Sequence, residues 1–251
     1  MPSYNSFAWI YDQCMGHIPY DEWVEYLQQL IQIYCKKKPH LILDLGCGTG
    51  NITERLAHKG YDMIGVDNSF DMLSIAKEKA SRDNQDILYL LQDMRAFELY
   101  GTVDCIVSIC DSMNYIMEEE DLLQVFKLVN NYLDPEGIFI FDLNTKFKYE
   151  QVLGEHTFAE TYEKSAYIWE NYYYEDEAVN EYDLTLFIED DKNQYQRYSE
   201  THHQRMYTPD TIKKILQEAG LIYVDCFDAF TFDKPTATSE RVYYIAREQG
   251  K

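Results

Sequence analysis

Residues 41–51 read Leu-Ile-Leu-Asp-Leu-Gly-Cys-Gly-Thr-Gly-Asn, a short apolar run broken by three glycines at alternate positions. The run suits a strand buried on both faces. Glycines there let the backbone turn tightly and let a ligand approach main-chain atoms closely. A helical stretch from about Asn51 to His58 follows, with Gly60 as its stop. Strand, glycine turn and helix in that order point to an α/β sheet.

The alternation then repeats. Met63 to Val66 reads as a strand ending at Asp67, and Ser69 can cap a helix with Met72, Leu73, Ala76 and Ala80 on its face. Residues 87–90 and 103–107 read as two more strands, 122–133 as a helix, and 138–142 as a strand fed by Asp134-Pro135-Glu136-Gly137. Thr208-Pro209-Asp210 starts a helix that stops at Gly220, before two closing strands at 221–227 and 241–246. These elements predict an α/β, Rossmann-like, seven-stranded and mostly parallel sheet with helices on both faces. Upstream, Trp23, Tyr26, Leu27, Leu30, Ile31 and Tyr34 fall at helical spacing. Residues 155–205 differ, with period-two alternation, eight tyrosines and about three acidic residues for each basic one. The expected organisation is an N-terminal helical lid over 1–38, a core over 39–150 and 206–251, and an inserted antiparallel β lobe over 151–205.

Charge narrows the partners. Lys and Arg number 22 against 44 Asp and Glu, a net charge of −22. Such a surface repels phosphate backbones and anionic lipid, so neither nucleic acid nor membrane is an expected partner. No apolar run approaches the length of a membrane span. Cysteines 14, 35, 47, 105, 110 and 226 form no C-x-x-C pair, which fits free thiols rather than a disulfide framework or a metal site. The opening residues show neither a basic nor an apolar leader segment. A cytoplasmic protein, monomeric or homodimeric, is expected.

The glycine turn also constrains its ligand. A carboxylate at Asp67, seventeen positions after Gly50, can accept both hydroxyls of an adenosine ribose. The dinucleotide fingerprint G-x-G-x-x-G would need glycine at position 51, which is asparagine. Asp44 at the entry of the loop is awkward beside a pyrophosphate and useful beside a cationic, phosphate-free ligand.

With these residues in place, Leu43 to Gly50 resembles the first motif of class I S-adenosylmethionine-dependent methyltransferases, of the small-molecule type. Gly65-Val66-Asp67-Asn68-Ser69 with Met72 is similar to the second, and Gln92-Asp93-Met94 to the third, which flanks the adenine ring. Asp104 to Val107 and Asp111-Ser112-Met113-Asn114-Tyr115 resemble the fourth, and Leu133 to Phe139 resembles the turn before the fifth strand. By that resemblance the cofactor is S-adenosyl-L-methionine. Its contacts would be Asp44, Gly46, Cys47, Gly48, Asn51, Asp67, Asn68, Met72, Gln92, Asp93, Met94, Cys110 and Asp111. Residues 4–12 resemble a segment that folds over the methionine end of the cofactor, which makes Tyr4, Tyr11 and Tyr20 lid candidates.

Methyl transfer from a sulfonium needs alignment of the nucleophile and exclusion of water more than it needs a fixed catalytic group. No catalytic residue is assigned. Asp111, Asn114 and Tyr115 lie where the fourth strand should open onto the pocket and could orient an acceptor. His202, His203 and Arg205 could act as base or bind a carboxylate. The expected activity is transfer to a nitrogen or oxygen of a small molecule, an amine slightly ahead of a hydroxyl. The alternative is a protein that binds the cofactor without turnover.

Overall fold

The computed structural model describes Asp12 and residues 18–190 and 192–251. Two sheets organise the chain. The first has seven strands: β1 (Leu41–Leu45), β2 (Asp62–Asp67), β3 (Ile87–Leu91), β4 (Val103–Ser108), β5 (Leu133–Asn144), β10 (Leu221–Asp228) and β11 (Arg241–Glu248). They lie in the order β10-β11-β5-β4-β1-β2-β3. All neighbours are parallel except at β11, which runs antiparallel to both β10 and β5. The second sheet is antiparallel, in the order β6 (Thr157–Thr161), β7 (Ser165–Tyr174), β8 (Val179–Glu189) and β9 (Tyr195–Arg205). The Rossmann-like architecture and the antiparallel sheet within it agree with the sequence expectation.

Helices cover both faces of the large sheet, as its two-sided apolar strands require. On one face α1 (Tyr20–Tyr34) and α2 (Asn51–His58) pack with Trp23, Leu27, Leu30 and Leu56 against Ile42, Val107, Ile140 and Tyr243. On the other, α4 (Glu119–Tyr132) and α5 (Pro209–Glu218) bring Phe126, Val129, Ile212 and Leu216 onto Leu43, Ile106, Phe139 and Phe141. Between them in sequence, α3 (Phe70–Arg82) places Leu73, Ala76 and Ala80 beside Tyr89.

The expected caps form. Ser69 Oγ accepts from the Met72 N–H at 3.3 Å, and Thr208 Oγ1 accepts from the Thr211 N–H at 3.1 Å with Pro209 opening α5. Each satisfies an amide that the first helical turn leaves without a partner. Among the described residues no helix is long and apolar enough to cross a membrane.

β5 ends at Asn144, and the chain turns there into a short helix, Lys148–Leu153, that leads to the second sheet. That sheet therefore leaves the core at the carboxyl ends of the parallel strands, the side on which open α/β sheets bind ligands. A cavity of about 1370 Å³ lies between the two.

Candidate active site

The glycine loop forms one end of the cavity. Gly46, Gly48 and Gly50 have φ of 81°, 54° and 81°, in the left-handed region that glycine enters without strain. A Cβ on Gly46 would come within 2.8 Å of the Ser112 side chain, while one on Gly48 would meet nothing within 4 Å. The loop is thus packed on one side and open on the other.

Register places the two carboxylates that flank it. β1 pairs with β2 so that Asp44 lies opposite Gly65 and Leu45 opposite Val66, which brings Asp67 beside the turn. Asp67 Oδ2 accepts from the Gly48 N–H and Oδ1 from the Ser69 N–H, each at 2.8 Å. One acceptor position on each oxygen is left, which matches a pair of vicinal hydroxyls. Asp44 is 2% exposed and accepts from Thr53 Oγ1 at 2.6 Å. Burial pushes its carboxyl up to about 7. Burial also raises the Asp67 carboxyl, against its backbone hydrogen bonds. Two carboxylates held partly out of water favour a ligand that brings hydroxyls and positive charge.

Asn68, Met72, Gln92, Asp93, Met94 and Cys110 line the same cavity, as do Cys47 and Asn51. Asp93 is held by Arg95, whose Nη2 lies 2.6 Å from Oδ2, and this ion pair lowers the Asp93 pKa. Asn51 Nδ2 donates to Asp12 Oδ1 at 2.9 Å, and Lys79 Nζ donates to both Asp12 Oδ2 and Asn51 Oδ1. Tyr20 lines the cavity beside α2, whereas Tyr4 and Tyr11 lie outside the described residues. The donor set suits S-adenosylmethionine, a ribose on Asp67 and a cationic end near Asp44.

The other end is built from the second sheet. Alternate residues of β7, β8 and β9 face inward: Tyr167 and Trp169, Tyr182, Leu184 and Leu186, and Glu200, His202 and Gln204. His202 stacks on Tyr182 with ring centroids 4.7 Å apart and an interplanar angle of 11°, and meets the edge of Tyr115 at 5.9 Å. Its Nε2 lies 3.1 Å from Glu200 Oε2. Tyr115 and Tyr182 share a hydroxyl–hydroxyl hydrogen bond.

Between the two ends Asp111 is clasped from three directions. Arg241 Nη2 donates to its Oδ1 at 2.6 Å, Gln204 Nε2 to its Oδ2 at 2.5 Å, and its own N–H donates to Asp142 Oδ1 at 2.8 Å. Arg241 also pairs with Asp142, which is fully buried.

Three expected acceptor residues lie elsewhere. Asn114 is fully buried and ties elements together: its Nδ2 donates to the Arg205 carbonyl at 2.8 Å and its Oδ1 accepts from the Asn144 N–H at 3.0 Å. His203 and Arg205 have the opposite parity to His202 on β9, so the strand turns them away from the cavity. His203 Nε2 meets Glu181 at 2.8 Å, and Arg205 donates to the Met117 carbonyl at 2.8 Å. Sequence reasoning missed Arg241, Lys148 and Glu200, all of which line the cavity. Arg241 is a single charge at the start of an apolar strand, a signal visible only after the strand's neighbours are known.

A sequence profile of the methyltransferase domain matches residues 42–137. A candidate methyltransferase of Geobacillus sp. strain WCH70 is 35% identical over 246 residues, 98% of this chain and 100% of that relative. YqeM of Bacillus subtilis strain 168, also named as a candidate methyltransferase, is 37% identical over 246 residues, 98% of this chain and 97% of its own. A crystal structure of an S-adenosylmethionine-dependent methyltransferase from Clostridium acetobutylicum matches with a TM-score of 0.87 at 32% identity, covering 98% of this chain and 99% of that one.

Proposed function

Because the chain belongs to the class I S-adenosylmethionine-dependent methyltransferases, we propose that it methylates a nitrogen or oxygen of a small molecule seated under the four-stranded sheet, an amine ahead of a hydroxyl. The observation that carries this reading is the single cavity that runs from the glycine loop to the inner face of that sheet. Its aromatic far end suits a compact acceptor.

When bound, S-adenosylmethionine supplies an activated methyl group and its own leaving group. The chain's share is to hold an acceptor in line and keep water out, a contribution that reaches roughly 7–11 kcal/mol in well-oriented systems. Asp44, Gly46, Gly48, Asp67 and Met72 serve the cofactor end. Tyr115, Tyr182 and Trp169 surround the acceptor, and aromatic faces attract an ammonium before it is deprotonated. The His202–Glu200 pair takes up the proton that an amine must lose, with the carboxylate orienting the ring. Asp111 sits where both ends meet and fixes the floor between them.

The test is release of S-adenosylhomocysteine by the purified protein across a panel of small amines and alcohols, with the methylated product identified by mass. Cofactor binding without turnover of any member would overturn the acceptor reading in favour of a binding protein.

A further inference from the structure

Lys148 opens the short helix after β5, and its side chain lines the cavity. The charges around it are those of Arg241, Asp111, Glu240 and Asp142. Each oxygen of the two aspartates already accepts one hydrogen bond. Arg241 and Gln204 occupy the oxygens of Asp111, while Arg241 and the Asp111 N–H occupy those of Asp142.

Among the described residues the Lys148 ammonium makes no hydrogen bond and no ion pair. Lys79 and Lys146, by contrast, each hold carboxylates. The contrast carries weight in a chain with 44 acidic residues and 22 basic ones. An ammonium has three donors, and partial burial without an acceptor is costly. Burial, with Arg241 nearby, accordingly lowers the Lys148 pKa. With Arg241 the group holds two cations and three carboxylates, yet among the described residues no carboxylate oxygen lies within bonding distance of the Lys148 ammonium.

We propose that Lys148 anchors a carboxylate on the acceptor, taking the acceptor reading above as given, so that the substrate is an amine that carries an acid group. A monoanion matches one ammonium. A dianionic phosphate would face Asp111, Glu200 and Glu240 in the same cavity with, among the described residues, a single free cation to balance them. The acid end lies on Lys148 and the amine end is left to the aromatic wall and the His202–Glu200 pair. The substrate's two charges are thereby read by separate parts of the cavity.

The anchor is testable without knowing the natural acceptor. Protein saturated with S-adenosylhomocysteine is treated with trinitrobenzenesulfonate, and labelling of Lys148 is followed by peptide mass spectrometry. The probes are acetate, phenylacetate and β-alanine, each beside its own amide. At least one acid should slow labelling about fivefold, the factor mass action gives at about four times its Kd, while its amide does not. No protection by any acid, or equal protection by the amides, overturns the anchor. In a second measurement, the protecting acid should change the fluorescence of the cavity tryptophans in the wild type and not in Lys148→Met, with S-adenosylmethionine affinity the same in both. A change that persists in Lys148→Met also overturns it. Loss of cofactor binding would be failure of the acceptor reading itself, whereas intact cofactor binding without acid protection is failure of the anchor alone.

Discussion

Gln204 donates from Nε2 to Oδ2 of Asp111 at 2.5 Å, and so joins the end of β9 in the antiparallel sheet to the loop that follows β4 in the seven-stranded sheet. The loop needs holding. Cys110 and Asp111 have φ of 64° and 54°, a left-handed conformation that costs a non-glycine residue about 1–3 kcal/mol. The clasp of Gln204, Arg241 and Asp142 offsets that strain and aims Ser112 and Tyr115 at the cavity.

Removing the buried cation should therefore be severe. Arg241→Met leaves Asp142 and Asp111 facing each other with no counter-charge, and a loss of about 3–5 kcal/mol of stability is expected. Urea unfolding monitored by circular dichroism checks it; a change below 1 kcal/mol would mean that the aspartates are not both charged.

Asp67→Ala should weaken S-adenosylmethionine binding by about 1–3 kcal/mol, because the ribose hydroxyls lose their acceptor and the Gly48 and Ser69 amides lose theirs. Calorimetric titration reads the difference. Wild-type affinity in the variant would place the ribose elsewhere.

Cofactor affinity should rise with pH through neutrality. Burial pushes the Asp44 carboxyl up to about 7, with the Thr53 hydrogen bond opposing and Asp67 adding to the rise. A cationic ligand favours the ionised form, so binding expels a proton below that value. Affinity then gains at most about tenfold per pH unit below 7 and levels off above it. Stability of the cofactor-free protein moves the other way. The folded value lies above the unfolded 3.8, so this group's contribution is fully present below 3.8 and is lost as pH rises through about 7. Titrations from pH 6 to 8 on wild type and Asp44→Asn test both statements, and a flat wild-type profile would refute the first.

How far the site could be read in advance depends on how local its chemistry is. The glycine turn, Asp44 and Asp67 are each fixed by a strand end, and the strands announce themselves through short apolar runs. The two capping residues, Ser69 and Thr208, are equally local. Arg241 and Lys148 are not, since the burial of a lone charge is decided by neighbours a hundred residues away. His202 and His203 are both candidates in the sequence for another reason. Residues 199–205 read Ser-Glu-Thr-His-His-Gln-Arg, with no apolar residue to mark which parity faces inward.

That parity yields a paired expectation. His202→Gln should lower kcat by about 10²–10⁴ toward an amine acceptor, the span of general acid–base catalysis, with cofactor affinity unchanged. His203→Gln, one position along the strand and facing Glu181, should leave turnover within twofold or so. Equal effects from the two would remove His202 from proton transfer.

β11 follows every other described strand, and it inserts between β10 and β5. Its first residue is Arg241, the guanidinium that locks the Asp111 loop. On the ribosome the glycine turn and Asp67 emerge early, and every strand they pair with is made long before β11. The nascent chain therefore has the parts of its glycine loop well before it can set the Asp111 loop. Addition of β11 is therefore the step that sets this loop, and a chain cut before Arg241 would lack the residue that does so.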